Sequence, residues 1–183
     1  MLYIMRHGRT DWNNLRKIQG HTDIPLNAEG RAMAEKAREE CQNVPLDVCY
    51  CSPLLRARET AEIVLRGRDI PIIPDERLQE MSFGDFEGTP FCFSGTGSAV
   101  GVIFQTPEKY TASVGGAETF DHLFARTGEF LRDVALPLTA EGKDVLIVGH
   151  WAMNLSIVSQ LRQLPRADFW QPKMENCKLI RLI

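Results

Sequence analysis

The sequence predicts an α/β fold with a largely parallel sheet in a single domain. Strand-like and helix-like segments alternate along the chain, which is typical of this class. Residues 145–148 form a short, wholly apolar run, as expected of a central strand that is covered on both faces. A length of 183 residues with 44% hydrophobic residues suits one compact domain, 1–183, around one buried core.

The individual elements are predicted from local patterns. Short apolar runs indicate strands at residues 2–5, 46–51, 70–73, 145–148 and 178–183. Apolar residues at helical spacing indicate helices from 52 onwards and over 120–134. Asn27 is the predicted N-cap of a helix that ends near 41, and a further helix is expected over 151–164. Ser52 is the predicted N-cap and Pro53 the first helical residue, because a serine oxygen accepts from free amides and proline presets the helical φ angle.

The composition is that of a soluble protein and argues against two kinds of partner. Charged residues make up 25% of the chain and the formal net charge is −3, so there is no basic excess of the kind that binds nucleic acid. The longest apolar run has about half a dozen residues, too few to span a membrane, and the N-terminus lacks the basic leader of a signal peptide. We therefore expect a cytoplasmic protein with no nucleic-acid and no membrane partner, and we allow for a homodimer.

The five cysteines are scattered and odd in number, which indicates reduced cytosolic thiols rather than disulfides. Cys49 and Cys51 lie two apart on a predicted strand and would point to the same side. A metal clip of the C-x-C type would need further ligands that the sequence does not supply. Buried thiols are therefore the favoured interpretation of this pair.

One long segment breaks the alternation of strands and helices. Between Gly88 and Gly116 the chain is rich in Gly, Ser and Thr with interspersed aromatic residues. We interpret it as an irregular, lid-like insertion at about 88–117, since long irregular segments in compact domains are usually lids or binding loops. The glycine-rich run 95–101 resembles a nucleotide loop only superficially, because it lacks both the G-x-G-x-x-G spacing and a following Lys-Ser/Thr.

Reactive side chains follow three of the predicted strands. Arg6-His7-Gly8 comes directly after the first strand. Arg56 lies in the helix after the second strand, and His150 follows the apolar strand. Because ligands of open α/β sheets bind outside the carboxyl ends of the strands, these side chains should converge. A cluster of cations needs an anion, and phosphate fits the arginine fork and the imidazole best. No cage of carboxylates or cysteines accompanies them, so the sequence predicts no metal and no cofactor.

Several motifs occur in an order that resembles the histidine phosphatase superfamily, which includes the cofactor-dependent phosphoglycerate mutases. Residues 6–13, RHGRTDWN, are similar to the R-H-G-x-T-x-W-N signature of that family. Further similarity covers residues 19–26, 52–61, 78–84, 115–118 and 148–150. The resemblance implies a three-layer α/β/α sandwich of the phosphoglycerate mutase type and a phosphohistidine intermediate.

The resemblance also implies roles for individual residues. His7 would be the nucleophile, and Arg6, Arg56 and His150 would hold the phosphoryl oxygens. Glu80 would be the general acid that protonates the leaving oxygen and then activates water. The substrate pocket would also be lined by Asn13, Gln19, Gly20 and Trp151.

Two of these assignments have competitors nearby in the sequence. Asp85 and Glu87 could serve as general acid on chemical grounds alone, and the resemblance favours Glu80 over them. Arg58 is close to Arg56, but the motif position falls on Arg56, so Arg58 is expected at the surface or behind the site.

The expected activity is hydrolysis of a small phosphorylated metabolite. Residues 78–88 are similar to the L-x-E-x-x-F-G-x-x-E-G pattern of the small phosphatase branch. A phosphoglycerate-type mutase is the alternative, and a non-catalytic protein that binds a phosphorylated ligand is the second alternative. Trp151 departs from the family, which usually has Gly after the second histidine, so the identity of the substrate stays open.

Overall fold

Five strands form one sheet within the residues that the computed structural model describes, 1–91 and 99–183. The strands are β1 (Leu2–Arg6), β2 (Val48–Cys51), β3 (Ile72–Pro74), β4 (Val145–Gly149) and β5 (Ile180–Arg181). Their order across the sheet is β3-β2-β4-β1-β5. Strands β1 to β4 are parallel, and β5 is antiparallel to β1. The predicted α/β class with a mostly parallel sheet is confirmed.

Seven α-helices lie in the described part of the chain. They are α1 (Asp11–Asn14), α2 (Ala28–Cys41), α3 (Leu55–Val64), α4 (Ala99–Gln105), α5 (Phe120–Phe130), α6 (Leu136–Ala140) and α7 (Trp151–Arg162). None of these helices is long and apolar enough to cross a membrane. Helix α2 begins as predicted, with the side chain of Asn27 accepting a hydrogen bond from the amide of Gly30 at 2.8 Å.

The helix predicted over 120–134 is longer and less regular than expected. Helix α5 continues through one π-helical turn, Leu131–Ala135, into α6. Pro137 has no N–H to donate to the carbonyl of Asp133, and its ring crowds that carbonyl. The wide turn lies at this position and lets the helix continue past the proline.

The sheet is covered on both faces, and β4 shows this best. Val145 and Ile147 belong to a core cluster with residues of α5 and α7, whereas Leu146 and Val148 pack in a second cluster with residues of α2 and α3. All four side chains are fully buried. Alternate residues of one strand therefore serve the two hydrophobic cores of a three-layer sandwich.

The predicted start of α3 is wrong by two residues. Ser52 does not cap the helix; its hydroxyl accepts a hydrogen bond from the amide of Leu54, which is itself the N-cap residue. The amide of Leu55, the first helical residue, donates to the carboxylate of Asp23 at 2.8 Å. A side chain from a distant loop thus supplies the helix cap that the local sequence predicted for Ser52.

The segment predicted to be irregular, 88–117, is partly helical. It contains α4 and a 3-10 turn at Pro107–Lys109. Val100, Ile103 and Phe104 have the spacing of one helical face, and all three pack against the core around β4. Helix α4 was not predicted, because its apolar residues lie within a glycine-rich part of the sequence. The nucleotide-loop alternative at 95–101 and the thiol of Cys92 concern residues 92–98, which lie outside the described part of the chain.

Candidate active site

The carboxyl ends of β1, β2 and β4 bring the predicted residues together. The amide of His7, just after β1, donates to the carbonyl of Gly149 at the end of β4 at 2.9 Å. The rings of His7 and His150 consequently lie 5.2 Å apart between centroids. A pocket of about 230 Å³ opens beside them, and Arg6, Arg56 and Glu80 line it together with His7. The predicted convergence of two arginines and two histidines is present in the structure.

The geometry of His7 defines its tautomer. Its Nδ1 lies 2.6 Å from the carbonyl oxygen of Gly8, which can only accept a hydrogen bond, so Nδ1 carries the proton. Burial and the charges of Arg56 and Arg6 hold the pKa of His7 well below 6.5, against a smaller opposing effect of the Gly8 carbonyl. At neutral pH the ring is therefore uncharged and Nε2 has a free lone pair.

The two arginines are held by backbone carbonyls and keep unused donors. Arg56 is fully buried and donates to the carbonyls of Gly20 at 2.7 Å and Thr22 at 3.0 Å. Arg6 donates to the carbonyl of Met174 at 3.2 Å. Burial lowers the pKa of Arg6 to about 10, which still leaves it charged at neutral pH. The Nε atoms of both arginines are buried without a hydrogen-bond partner among the described residues, and such unused donors are compatible with an anionic ligand.

His150 is fully buried, and neither of its ring nitrogens has a hydrogen-bond partner among the described residues. Burial, followed by the charges of Arg56 and the effect of His7, holds its pKa well below 6.5. A neutral imidazole always carries one N–H. His150 therefore has one unused N–H next to His7, although its side chain is not among those that line the pocket.

Glu80 lies on the pocket wall and caps helix α7. Its Oε2 accepts from the amides of Trp151 and Ala152 at 2.9 and 3.2 Å. Its Oε1 accepts from the amides of Met153 and Met81, each at 2.9 Å. These bonds satisfy three orphan amides of the helix start, where a negative charge is favourable. The amide of Trp151, next to His150, is thus bound to Glu80.

The structure distinguishes Glu80 from Asp85 and Glu87, the two other carboxylates considered as general acid. Glu87 accepts hydrogen bonds from the amides of His21, Thr22 and Phe83, so both of its oxygens serve the backbone. Asp85 is exposed and does not line the pocket. Of the three carboxylates, Glu80 is the one that lies beside His7.

The loop between β1 and α2 supplies the predicted polar residues of the pocket. Asn13, Gln19 and Gly20 all line it. Asn13 forms a capping box with Thr10, and the Thr10 hydroxyl also donates to Gln19 at 3.0 Å. Gly20 has a φ of +125°, and a Cβ there would collide with the carboxylate of Glu87. This glycine is therefore required by the backbone that receives Arg56.

The other side of the pocket is aromatic. Trp151 lines it as predicted, together with three rings that the sequence analysis did not assign to the site, Phe83, Phe91 and Phe104. Two of these rings belong to the segment around 88–117, whose aromatic content was the available signal. Trp12 also lines the pocket, with the amine of Lys17 5.6 Å from its ring.

An ion-pair network that was not predicted from the sequence holds the segment that carries Glu80. Arg126 on α5 donates to the carbonyls of Arg77, Gln79 and Glu80 at 2.7, 2.8 and 3.1 Å. The same guanidinium pairs with Glu118 at 2.7 Å. Burial alone would raise the pKa of Glu118, but the hydrogen bonds from Arg126 and the charge of its guanidinium lower it. No local motif indicates the role of Arg126, because the backbone carbonyls that it binds lie about fifty positions away in the sequence.

Several residues lie outside the pocket, as was predicted from the sequence. Arg58 is on the surface in an ion pair with Glu62. Cys49 and Cys51 are buried on β2, and burial raises the pKa of Cys51 to about 11. Within residues 1–91 and 99–183, no group of three His, Cys, Asp or Glu side chains is placed to share a metal ion.

The comparisons with known proteins agree with this geometry. The sequence model of the histidine phosphatase superfamily (branch 1) matches residues 2–183, and the chain belongs to this superfamily. An uncharacterized phosphatase of Bacillus subtilis, PhoE, is 33% identical over 180 residues, which cover 97% of this chain and 82% of that protein. A 2,3-bisphosphoglycerate-dependent phosphoglycerate mutase of Gloeobacter violaceus is 27% identical with the same coverage. The solved structure of YhfR from Bacillus stearothermophilus has a TM-score of 0.85 and 34% identity, covering 97% of this chain and 88% of that one. The predicted family is confirmed, and its members similar to this chain include phosphatases and mutases.

Proposed function

We propose that this protein hydrolyses the phosphate ester of a small metabolite through a phosphohistidine on His7. The observation that carries the proposal is the neutral His7 ring, with its proton held on Nδ1 by Gly8, beside Arg6 and Arg56. Such a ring is a nucleophile, and the surrounding donors suit a phosphoryl group. The phosphatase names of similar proteins support the same activity.

The reaction proceeds in two displacements at phosphorus. Nε2 of His7 attacks, the bond to the ester oxygen breaks, and a proton from Glu80 neutralises the departing alkoxide. Arg6, Arg56 and His150 stabilise the charge on the phosphoryl oxygens. Water then attacks the phosphohistidine while Glu80 takes its proton, the P–N bond breaks, and inorganic phosphate leaves with the His7 lone pair restored.

The hydrogen bonds of Glu80 add a condition to this scheme. A carboxylate has about four lone-pair positions, and the amides of Met81 and of residues 151–153 fill them. Glu80 can hold a proton only after one amide is released. A substrate oxygen that accepts from the Trp151 amide would release it and prepare Glu80 for proton transfer.

The experiment is phosphate release from p-nitrophenyl phosphate in excess EDTA. We expect turnover by the wild type and a loss of at least about 10³-fold in His7→Ala, because removing a nucleophile abolishes the covalent route. Arg58→Ala is the control, since Arg58 is exposed, outside the pocket and paired with Glu62 on the surface. Turnover that needs added metal, or that survives in His7→Ala, would contradict the proposal.

A phosphomutase is the second candidate, favoured by the similarity to a phosphoglycerate mutase. The two activities share the phosphohistidine and differ in the acceptor of the phosphoryl group. Incubation with 3-phosphoglycerate distinguishes them: interconversion with 2-phosphoglycerate without phosphate release identifies a mutase. Absence of both reactions, with tight binding of phosphate, would identify a non-catalytic binding protein.

A further inference from the structure

The side of the pocket opposite the polar loop is a continuous aromatic wall, formed by Phe83, Phe91, Phe104 and Trp151. The rings of Phe104 and Trp151 are nearly parallel, with centroids 6.4 Å apart, and Phe104 stacks on Phe83 at 5.4 Å. Phe91 contacts Phe104 at 4.7 Å and Trp151 at 5.9 Å. All four members of the aromatic wall line the pocket.

The aromatic wall is supported from behind. Trp170 packs against Trp151 and Phe104, with centroids 4.6 and 4.9 Å away. The indole N–H of Trp170 donates to the carbonyl of Ile103 on α4 at 2.9 Å. This bond ties α4, and with it Phe104, to the Trp170 ring. The wall is therefore preformed, which lowers the entropic cost of binding a ligand against it.

Trp151 joins the aromatic wall to the phosphate site. The Arg6 guanidinium lies 5.7 Å from the centre of the Trp151 ring, within the range of a cation–π contact. A phosphoryl group held by Arg6 and His7 thus has the aromatic wall as its neighbour, and the group attached to the ester oxygen must enter the same pocket.

We propose that the substrate of this site is the phosphate ester of an apolar, ring-sized alcohol or phenol, whose ring lies on the aromatic wall with Trp151 as the deciding residue. The inference rests on the proposed function and names its substrate class. A small hydroxy acid would bring no ring-sized apolar surface to the aromatic wall. Its carboxylate would have to reach the cations at the rim, Arg16 and Lys17, which also line the pocket.

The test uses phosphonates, because they are not hydrolysed and their affinity does not depend on leaving-group reactivity. Dissociation constants are measured by calorimetry for methylphosphonate, benzylphosphonate and 2-carboxyethylphosphonate. We expect benzylphosphonate to bind the wild type about tenfold or more tightly than methylphosphonate, the order expected for burying a phenyl ring. In Trp151→Gly and in Phe104→Ala this ratio should fall to within about threefold, since each removes part of the apolar contact.

Phe124→Leu is the matched control, because Phe124 is a partly buried ring of α5 that does not line the pocket. It should keep the wild-type ratio. The proposal is overturned if the benzyl group adds no affinity, if the ratio is unchanged in both wall variants, or if 2-carboxyethylphosphonate binds more tightly than benzylphosphonate. Calorimetry needs no turnover, so a failure to hydrolyse p-nitrophenyl phosphate would contradict the proposed function separately.

Discussion

At the scale of the residue, the site depends on two histidines that are buried and uncharged. Burial is the largest cause of the lowered pKa of His7 and of His150, and the neighbouring Arg56 adds to it in both. Two neutral rings can lie 5.2 Å apart between two guanidinium groups, whereas two imidazolium rings would repel each other and the arginines. The arrangement keeps the ring of His7 uncharged at neutral pH and leaves the positive charge to the arginines.

The lowered pKa of His7 and of His150 predicts a loss of stability in mild acid. In the unfolded chain both histidines take up protons near pH 6.5, while the folded protein does so only at lower pH. The stabilisation is therefore complete above about pH 6.5 and is lost as the pH falls below it, by about 1 kcal/mol per histidine between pH 7 and 5.5.

Urea unfolding at the two pH values measures this effect. Compared with the wild type, His7→Asn and His150→Asn should each lose less stability between pH 7 and 5.5. An equal loss in all three proteins would show that these rings are not the groups that titrate.

At the scale of the element, the segment from Arg77 to Glu80 is held in place by side chains of other elements. It contains a 3-10 turn and then extended chain, and among the residues that the structure describes no strand pairs with it to hold Glu80. Arg126 on α5 and its partner Glu118 supply the missing constraints, and Glu118 also pairs with the amide and carbonyl of Ser82. The chain thus places the carboxylate of Glu80 through a guanidinium that does not itself line the pocket.

This arrangement predicts a selective defect in Arg126→Met. If Glu80 supplies the proton for the leaving group, its displacement matters most for an alkyl phosphate, whose alkoxide needs that proton. We expect kcat to fall about tenfold more for an alkyl phosphate than for p-nitrophenyl phosphate, within the range that general-acid catalysis contributes.

Arg132→Met is the control, because Arg132 is exposed and pairs only with its neighbour Asp133 among the described residues. It should affect neither substrate. An equal loss on both substrates in Arg126→Met would indicate general damage rather than a misplaced acid.

At the scale of the whole molecule, the sequence was most informative where local pattern and topology coincide. The parallel sheet and the meeting of the two arginines and two histidines could be predicted because parallel strands end at one edge. Arg6, His7 and His150 lie at or next to the ends of β1 and β4, and Arg56 lies in the first turn of the helix that follows β2. The cap of α3 by Asp23 could not be predicted, since it comes from a distant loop.

The aromatic wall and the network around Arg126 could not be predicted for the same reason as the capping of α3 by Asp23. Their contacts join segments far apart in the chain, such as Phe104 with Trp151 and Arg126 with residues 77–80. Helix α4 was missed because its apolar spacing lies within glycine-rich sequence. Local patterns therefore predicted which polar side chains meet at the pocket better than they predicted its aromatic side.

The central claim, a phosphohistidine on His7, is tested most directly by trapping the intermediate. The wild type is mixed with substrate, quenched in base, in which phosphohistidine survives, and digested for mass spectrometry. We predict one phosphoryl group on the peptide that contains His7, lost on brief acid treatment and absent from His7→Asn. A phosphoryl group on any other residue, or turnover of His7→Asn at the wild-type rate, would contradict the account.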